Sequence, residues 1–417
     1  MKIIFIFLIY ASMVSASLAD KIGQGDPLWR HAQIGMYAIN TETGVVVADE
    51  NSDLSFIPAS TLKVVTTFAA LELLGKEAHF TTTLEYDGHI DKAGVLQGNL
   101  YIHGGGDPCL GSSRTSSSRG IDEQLGAWTQ AIEQIGIKKI AGKIIGDASA
   151  WEKTLSNPTW LWEDVGNYYG AGASALSFHE NSYELILRPG LKEGERAAIV
   201  RTEPAELLIQ FDNEVTTGPQ GSGDRASIFG AEYSPQQSVR GTVPLGVKEF
   251  SIRGAIADPP AFCAHLLQEA VEKCGIAIQK KSNRNVAASR ERKIIHCTTS
   301  PSVGEIAYWV NQKSINLYAE HLLKKMGNGA TQAGIAAVTS FLKDQNIDIS
   351  GLNMADGSGL SRKNLATPKM LVALLERAKK SPFFLTTLPE TGKTGSMSQV
   401  RCRVGYKGPV IYAPQTE

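Results

Sequence analysis

The stretch Ile57-Pro58-Ala59-Ser60-Thr61-Leu62-Lys63 decides how this chain is read. Pro58 disfavours helix at the residue before it. From Ser60 onward apolar residues recur at helical spacing (Val64, Val65, Phe68, Leu71 and Leu74), and Gly75 closes the run. An extended segment therefore turns into a helix at Ser60. Ser60 and Lys63 are three residues apart, so one helical face carries both side chains. A helix start offers free N–H groups and a partial positive charge. Burial and positive potential both lower a lysine pKa, and a neutral amine can take a serine proton. Alone, S-x-x-K is ordinary, because an N-cap serine followed by a surface lysine also gives it. It recurs at Ser340 to Lys343, late in another helical pattern with no proline or strand before it. There the ordinary reading holds.

Two more motifs follow in order. Ser314-Ile315-Asn316 reads S-x-N and precedes an amphipathic helical pattern; Lys393-Thr394-Gly395 reads K-T-G and opens a β-type stretch to Tyr406. Ser314 suits a proton relay to a leaving group, and Asn316 suits a bond to a substrate amide. Lys393 and Thr394 suit a carboxylate. Gly395 lets a substrate strand lie against its backbone. The N–H of Ser396, with that of Ser60, suits an oxyanion. Asp356-Gly357-Ser358-Gly359-Leu360-Ser361-Arg362 is a glycine-spaced loop ending on an arginine able to hold a planar carboxylate. Each segment also has a plain structural reading, as an N-cap or a turn with a solvated cation. His103-Gly104-Gly105-Gly106 reads as a tight turn, since neither a G-x-S-x-G elbow nor a G-K-S/T phosphate loop accompanies it.

The chain has 417 residues and a net charge of -1, which gives no sign of a nucleic-acid partner. Lys2, the apolar run Ile3 to Tyr10 and the small residues ending Ser17-Leu18-Ala19 read as a signal peptide over 1–19. The mature protein is expected to begin near Asp20, exported and without a transmembrane span. The five cysteines (Cys109, Cys263, Cys274, Cys297 and Cys402) are widely spaced, unlike a zinc site. An odd count leaves one thiol over, and the pairing of the rest stays open. No cofactor or metal is expected.

Gln33 to Asn40 and Val45 to Asp49 read as a hairpin around the turn Thr41 to Gly44. The 250 residues between Lys63 and Ser314 are too many for a loop. Short strand patterns fill much of them: Thr81 to Tyr86, Asn99 to His103, Lys139 to Asp147, Glu184 to Leu187 and Ala205 to Phe211. From Pro259 to Lys380 the pattern is mainly helical, with a break at Ile347 to Pro368. The organisation expected is a signal peptide over 1–19, a catalytic part over 20–85, a strand-rich insert over 86–258 and a second catalytic part over 259–417.

The three motifs in order form the signature of penicillin-binding proteins and serine β-lactamases. With Phe80-Thr81-Thr82-Thr83-Leu84, Gly106-Asp107-Pro108 and the Asp356–Arg362 loop, the chain resembles the class C low-molecular-mass penicillin-binding proteins, the D-alanyl-D-alanine carboxypeptidase/endopeptidase family. The resemblance implies an α/β (α+β) transpeptidase fold with a domain inserted between S-x-x-K and S-x-N. It implies a periplasmic enzyme that cuts the terminal D-Ala-D-Ala bond of peptidoglycan stem peptides and is acylated by β-lactams. Ser60 would form the acyl-enzyme, Lys63 act as base, Ser314 shuttle protons, and Asn316, Thr394 and Lys393 hold substrate. Arg362, and Asp147 in Gly146-Asp147-Ala148-Ser149, match positions that line a pocket for the diamino acid of the stem. Two departures stand out. K-T-G follows Leu388-Pro389 almost at once, and relatives continue beyond it with another strand and a helix, so the C-terminus is read as shortened and the sheet edge as exposed. A serine β-lactamase, or a scaffold that has lost turnover, carries the same motifs.

Overall fold

A computed structural model describes residues 31–281 and 291–400. In chain order its longer helices are α1 (Leu62–Leu74), α2 (Ile121–Gln134), α3 (Pro259–Lys273), α4 (Val303–Lys313), α5 (Asn316–Met326), α6 (Thr331–Asp344) and α7 (Pro368–Ala378), followed by the short α8 (Pro382–Thr387). The chain divides into two compact units. The first joins residues up to Lys76 with Val303–Gly327 and Thr331 onward; the second holds Glu77–Ser302 with Asn328–Ala330.

Helix α1 is the axis of the first unit. Every residue from Leu62 to Leu71 is buried, as expected of a helix whose apolar residues surround it. It packs against α4, α5 and α6. The ring of Phe68 meets Phe341 of α6 at 5.6 Å and Phe384 of α8 at 5.2 Å between centroids. Aromatic pairs at such distances add to the burial itself. The expected hairpin is present as Met36–Ile39 paired antiparallel with Val46–Glu50. Ser340 lies exposed within α6, which confirms the second S-x-x-K as a surface feature.

The second unit is rich in strands. One sheet runs Lys293–Thr299, Thr81–Tyr86, Leu100–His103 and Ile144–Asp147; the last pair is parallel and the others antiparallel. A three-stranded antiparallel sheet centres on Ser182–Arg188, and a four-stranded one gathers around Gln236–Pro244. Trp128 of α2, Phe178 and Phe262 of α3 form an aromatic chain in its core, with centroids 6.1 and 6.4 Å apart. This unit reaches past the expected insert, 86–258, at both ends. It takes in α3 and the strand Lys293–Thr299, which the reading of a mainly helical second part overlooked. That strand is written in β-branched residues (Ile294, Ile295, Thr298, Thr299). It is joined to the unit by pairing with Thr81–Tyr86, more than two hundred residues away. Cys263, Cys274 and Cys297 carry free thiols. Cys402, the signal peptide and the C-terminal residues on which the exposed sheet edge was expected lie outside the described residues.

Candidate active site

Ser60 stands in a 3-10 turn, Ala59–Thr61, that feeds directly into α1. Ala59 takes a left-handed φ of +45, which an L-residue adopts only where surroundings enforce it. The enforcing contact comes from Gly359 of the Asp356–Arg362 loop. Its φ is +83, and a Cβ there would sit 1.8 Å from the Ala59 carbonyl oxygen. Only glycine lets these two backbones meet beside the nucleophile. Gly359→Ala is therefore expected to cost at least about 2 kcal/mol, with the backbone at Ser60 displaced. A denaturant midpoint together with penicillin labelling measures it, and a variant matching wild type in both would show that the contact is dispensable.

Lys63 is 2 % exposed. Its Nζ lies 3.0 Å from Ser60 Oγ and donates to the Ser358 carbonyl oxygen at 2.6 Å. Burial pulls its pKa down from 10.5 to about 8, against the opposing charges of Asp356 and Glu320. About a tenth of the lysine is then neutral at pH 7, far more than for an unshifted lysine, and that fraction can take the Ser60 proton. The expectation that helix spacing brings the two side chains together is met.

Ser314 is the first of two residues, Ser314 and Ile315, between α4 and α5, with a left-handed φ of +56. It shares one solvent-open cleft with Ser60, Lys63, Ser396, Asn311 and Pro389. Among the described residues, neither the Ser60 nor the Ser396 N–H is taken up by a backbone acceptor. Four of the expected site residues thus converge. Asn316 begins α5, half buried, and is not part of this lining.

The K-T-G segment departs from expectation. Residues 393–400 form no strand; turns flank a 3-10 turn at Gly395–Met397. The reason is local bonding that closes the chain on itself. Thr394 N–H donates to the Glu390 carbonyl at 3.0 Å, Thr394 Oγ1 accepts from Glu390 N–H at 2.8 Å, and Gly392 N–H donates to Met397 at 2.9 Å. Gly395, with φ +60, lies so close to α4 that a Cβ would come within 2.5 Å of the Gln312 carbonyl oxygen. Lys393 is 61 % exposed and ion-paired with Glu390 at 2.6 Å. The segment delivers Ser396 and Met397 to the cleft, while Lys393 and Thr394 face other partners. Lys393→Ala is expected to leave the rate of penicillin acylation within about threefold of wild type, since an exposed pair contributes little. A tenfold loss in a stopped-flow measurement would return Lys393 to the site.

The Asp356–Arg362 loop carries more than the arginine the sequence singled out. Its importance lies in its buried residues. Asp356, Ser358 and Ser361 are fully buried, whereas Arg362 is exposed. Asp356 accepts from the N–H groups of Gly359 and Ser361 at 2.8 and 2.7 Å and from Asn364 Nδ2 at 2.7 Å. Glu320 of α5, buried as well, accepts from Ser358 N–H at 2.7 Å. Burial and the neighbouring Asp356 push the Glu320 carboxyl up to about 7. Asp147 belongs to the second unit. There it ends the strand Ile144–Asp147 and is 1 % exposed. Arg292 Nη1 donates to its Oδ2 at 2.7 Å, and His103 Nδ1 stands 3.1 Å away. Burial would raise the Asp147 pKa, but the bonds from His103, Ser149 and Arg292 outweigh it and hold the carboxyl below the usual range. The Asp147 bond in turn raises His103.

Sequence reasoning missed Asn311, Glu320, Ser358 and Arg292. Asn311 and Glu320 sit inside helical patterns as unremarked polar residues. A polar residue on the apolar face of an amphipathic helix is the one signal that marks them, because burying such a group demands a partner.

A serine beside a buried, part-neutral lysine, with a second serine in the same cleft, defines a serine acyl-transfer enzyme. The chain belongs to the D-Ala-D-Ala carboxypeptidase 3 (S13) family, whose model matches residues 14–410. It is 28 % identical over 385 residues to the D-alanyl-D-alanine carboxypeptidase of Actinomadura sp., covering 88 % of this chain and 69 % of that protein. It is 26 % identical over 399 residues to D-alanyl-D-alanine carboxypeptidase DacB of Haemophilus influenzae, covering 93 % and 79 %. The crystal structure of penicillin binding protein 4 from H. influenzae superposes with a TM-score of 0.79 at 26 % identity, over 93 % of this chain and 83 % of that one. A structure of the same protein complexed with a β-lactam superposes with a TM-score of 0.73. The mixed helix-and-strand fold is the penicillin-binding fold that the motifs imply.

Proposed function

We propose that this serine D-Ala-D-Ala carboxypeptidase cleaves peptidoglycan stem peptides through an acyl-enzyme on Ser60. The 3.0 Å approach of the buried Lys63 amine to Ser60 Oγ carries the reading. Ser60 Oγ attacks the carbonyl carbon of the penultimate D-alanine as its proton passes to neutral Lys63 Nζ. The N–H groups of Ser60 and Ser396 receive the developing oxyanion. Ser314 hands a proton to the departing amine of the terminal D-alanine. Water then hydrolyses the Ser60 ester by the reverse proton path. A β-lactam enters the same cleft and acylates Ser60 by opening of its ring. Asn316 at the start of α5 and the Gly395 backbone serve substrate binding. Arg362, exposed at the loop end, and Asp147 on the second unit are assigned to the diamino acid of the stem on the resemblance alone. The signal-peptide pattern over 1–19 supports export to the periplasm. Among the described residues no helix is long and apolar enough to cross a membrane.

The test combines labelling and turnover. The chain is incubated with fluorescent penicillin and, separately, with a peptide ending in D-Ala-D-Ala. Stoichiometric label on the Ser60 peptide, slow loss of that label and release of D-alanine are expected. Fast label loss without D-alanine release would make the protein a β-lactamase, and no label would make it a scaffold.

A further inference from the structure

The buried carboxylate of Glu320 touches neither Ser60 nor Lys63 in the steps above. Yet it is tied to both through one peptide segment. Glu320 is 4 % exposed. Both its oxygens accept from Gly357 N–H, each at 3.1 Å, and Oε1 also accepts from Ser358 N–H at 2.7 Å. The carbonyl side of the same segment is held by α1. Ser358 O accepts from Lys63 Nζ at 2.6 Å, and Gly357 O accepts from Thr66 Oγ1 at 2.7 Å. Gly357-Ser358 is thus clamped from both sides, by Glu320 of α5 and by the helix that bears the base. Charge-assisted bonds to backbone N–H groups are the stronger kind, so the carboxylate fixes where the Ser358 carbonyl stands. That carbonyl takes one Lys63 N–H and so fixes where the amine stands relative to Ser60 Oγ.

We propose that Glu320 is a positioning residue for acylation, whose carboxylate, acting through the Gly357-Ser358 peptide, aligns the Lys63 amine with Ser60 Oγ. The inference rests on the reading of Lys63 as base. Its charge has a second consequence. Glu320 and Asp356 are the two carboxylates that oppose the lowering of Lys63 by burial. They therefore set how far up the pH scale Lys63 keeps its proton. The other charged groups nearby are few. On α5 itself His321 and Lys324 are buried. Helix α4 brings Glu305, Tyr308 and Lys313, none of them buried, and α6 has only Lys343 and Asp344, exposed at its far end.

The test is the second-order rate of acylation of the full chain by fluorescent penicillin between about pH 5.5 and 9.5. For wild type the rate is expected to climb from about pH 7, where the Glu320 carboxyl ionises, and to level off above about pH 8, where Lys63 loses its proton. In Glu320→Gln one negative charge is gone, so the rise should move down by about half to one pH unit. Its plateau should fall roughly tenfold, because an amide turns N–H donors toward N–H donors and the loop shifts. Glu320→Asp keeps the charge but shortens the reach, so its rise should stay at the wild-type pH with a lowered plateau. A Gln variant whose rise does not move overturns the proposal, whether or not its plateau falls. If circular dichroism shows that variant unfolded, the Asp variant decides, and a wild-type plateau there overturns the proposal. A wild type that is not acylated at all removes the Ser60–Lys63 reading and this inference with it. A wild type acylated normally beside an unaltered Glu320→Gln removes the inference alone.

Discussion

Replacing Ser60 by alanine is expected to abolish covalent penicillin labelling while leaving the fold intact. The hydroxyl is half buried at a solvent-open cleft, and it anchors nothing in the core beyond its contact with Lys63. Its removal should therefore leave the cooperative unfolding transition close to wild type. Surface-near changes of this kind usually stay within about 0.5 kcal/mol. The loss of chemistry should be complete to the detection limit, since no other group in the cleft is paired with a buried amine. Mass spectrometry of the penicilloyl peptide checks the assignment. Ser340→Ala should leave labelling untouched, because that serine is exposed late in α6. A penicilloyl group on any residue other than Ser60 would refute the proposed nucleophile.

Lys63→Arg is expected to lower acylation by at least roughly a thousandfold. A guanidinium does not deprotonate in a protein, so it cannot take the Ser60 proton. It also brings a larger planar cation into a buried slot measured for an amine. The pH dependence supplies an independent check. Lys63 is lowered from 10.5 to about 8, so acylation should rise as pH climbs through about 8 and flatten above it. Stability should respond too. Between about 8 and 10.5 the unfolded chain holds the Lys63 proton and the native chain does not, so this residue makes stability increase with pH across that window. Glu320 acts oppositely. Its folded pKa lies near 7 against 4.5 unfolded, so the stability it gives is full below 4.5 and lost as pH rises through 7. An Arg variant acylating within tenfold of wild type would sink the base role, and so would a wild-type rate that is flat from pH 6 to 9.

How much was legible beforehand follows the range of each interaction. Ser60 and Lys63 could be paired on paper because a helix fixes residues three apart on one face. The hairpin around Thr41 to Gly44, the buried α1 and the break between α6 and α7 were legible for the same reason, since period, proline and glycine act over a few residues. The K-T-G segment misled because three residues do not carry a strand. Its fold was decided by a bond from Thr394 back to Glu390 and by the approach of Gly395 to Gln312. The Asp356–Arg362 loop was correctly marked as special, but its buried end, not its charged one, faces the base.

By itself the sequence determined the family and the pairing of a serine with an amine one helical turn away, both of which are written in short motifs and in their order. Only the tertiary structure decided that Ser358 and Glu320 stand behind Lys63, that Lys393 turns away to Glu390, and that Asp147 is held by Arg292. Ser358 lies 295 residues from Lys63, Arg292 145 from Asp147 and Ser358 38 from Glu320, whereas Lys393 meets Glu390 only three residues away, inside a turn that no periodic pattern marks. Whether a buried charge is aligned, shifted or neutralised depends on which groups the packed chain brings within a hydrogen bond of it. Local periodicity carries no record of that.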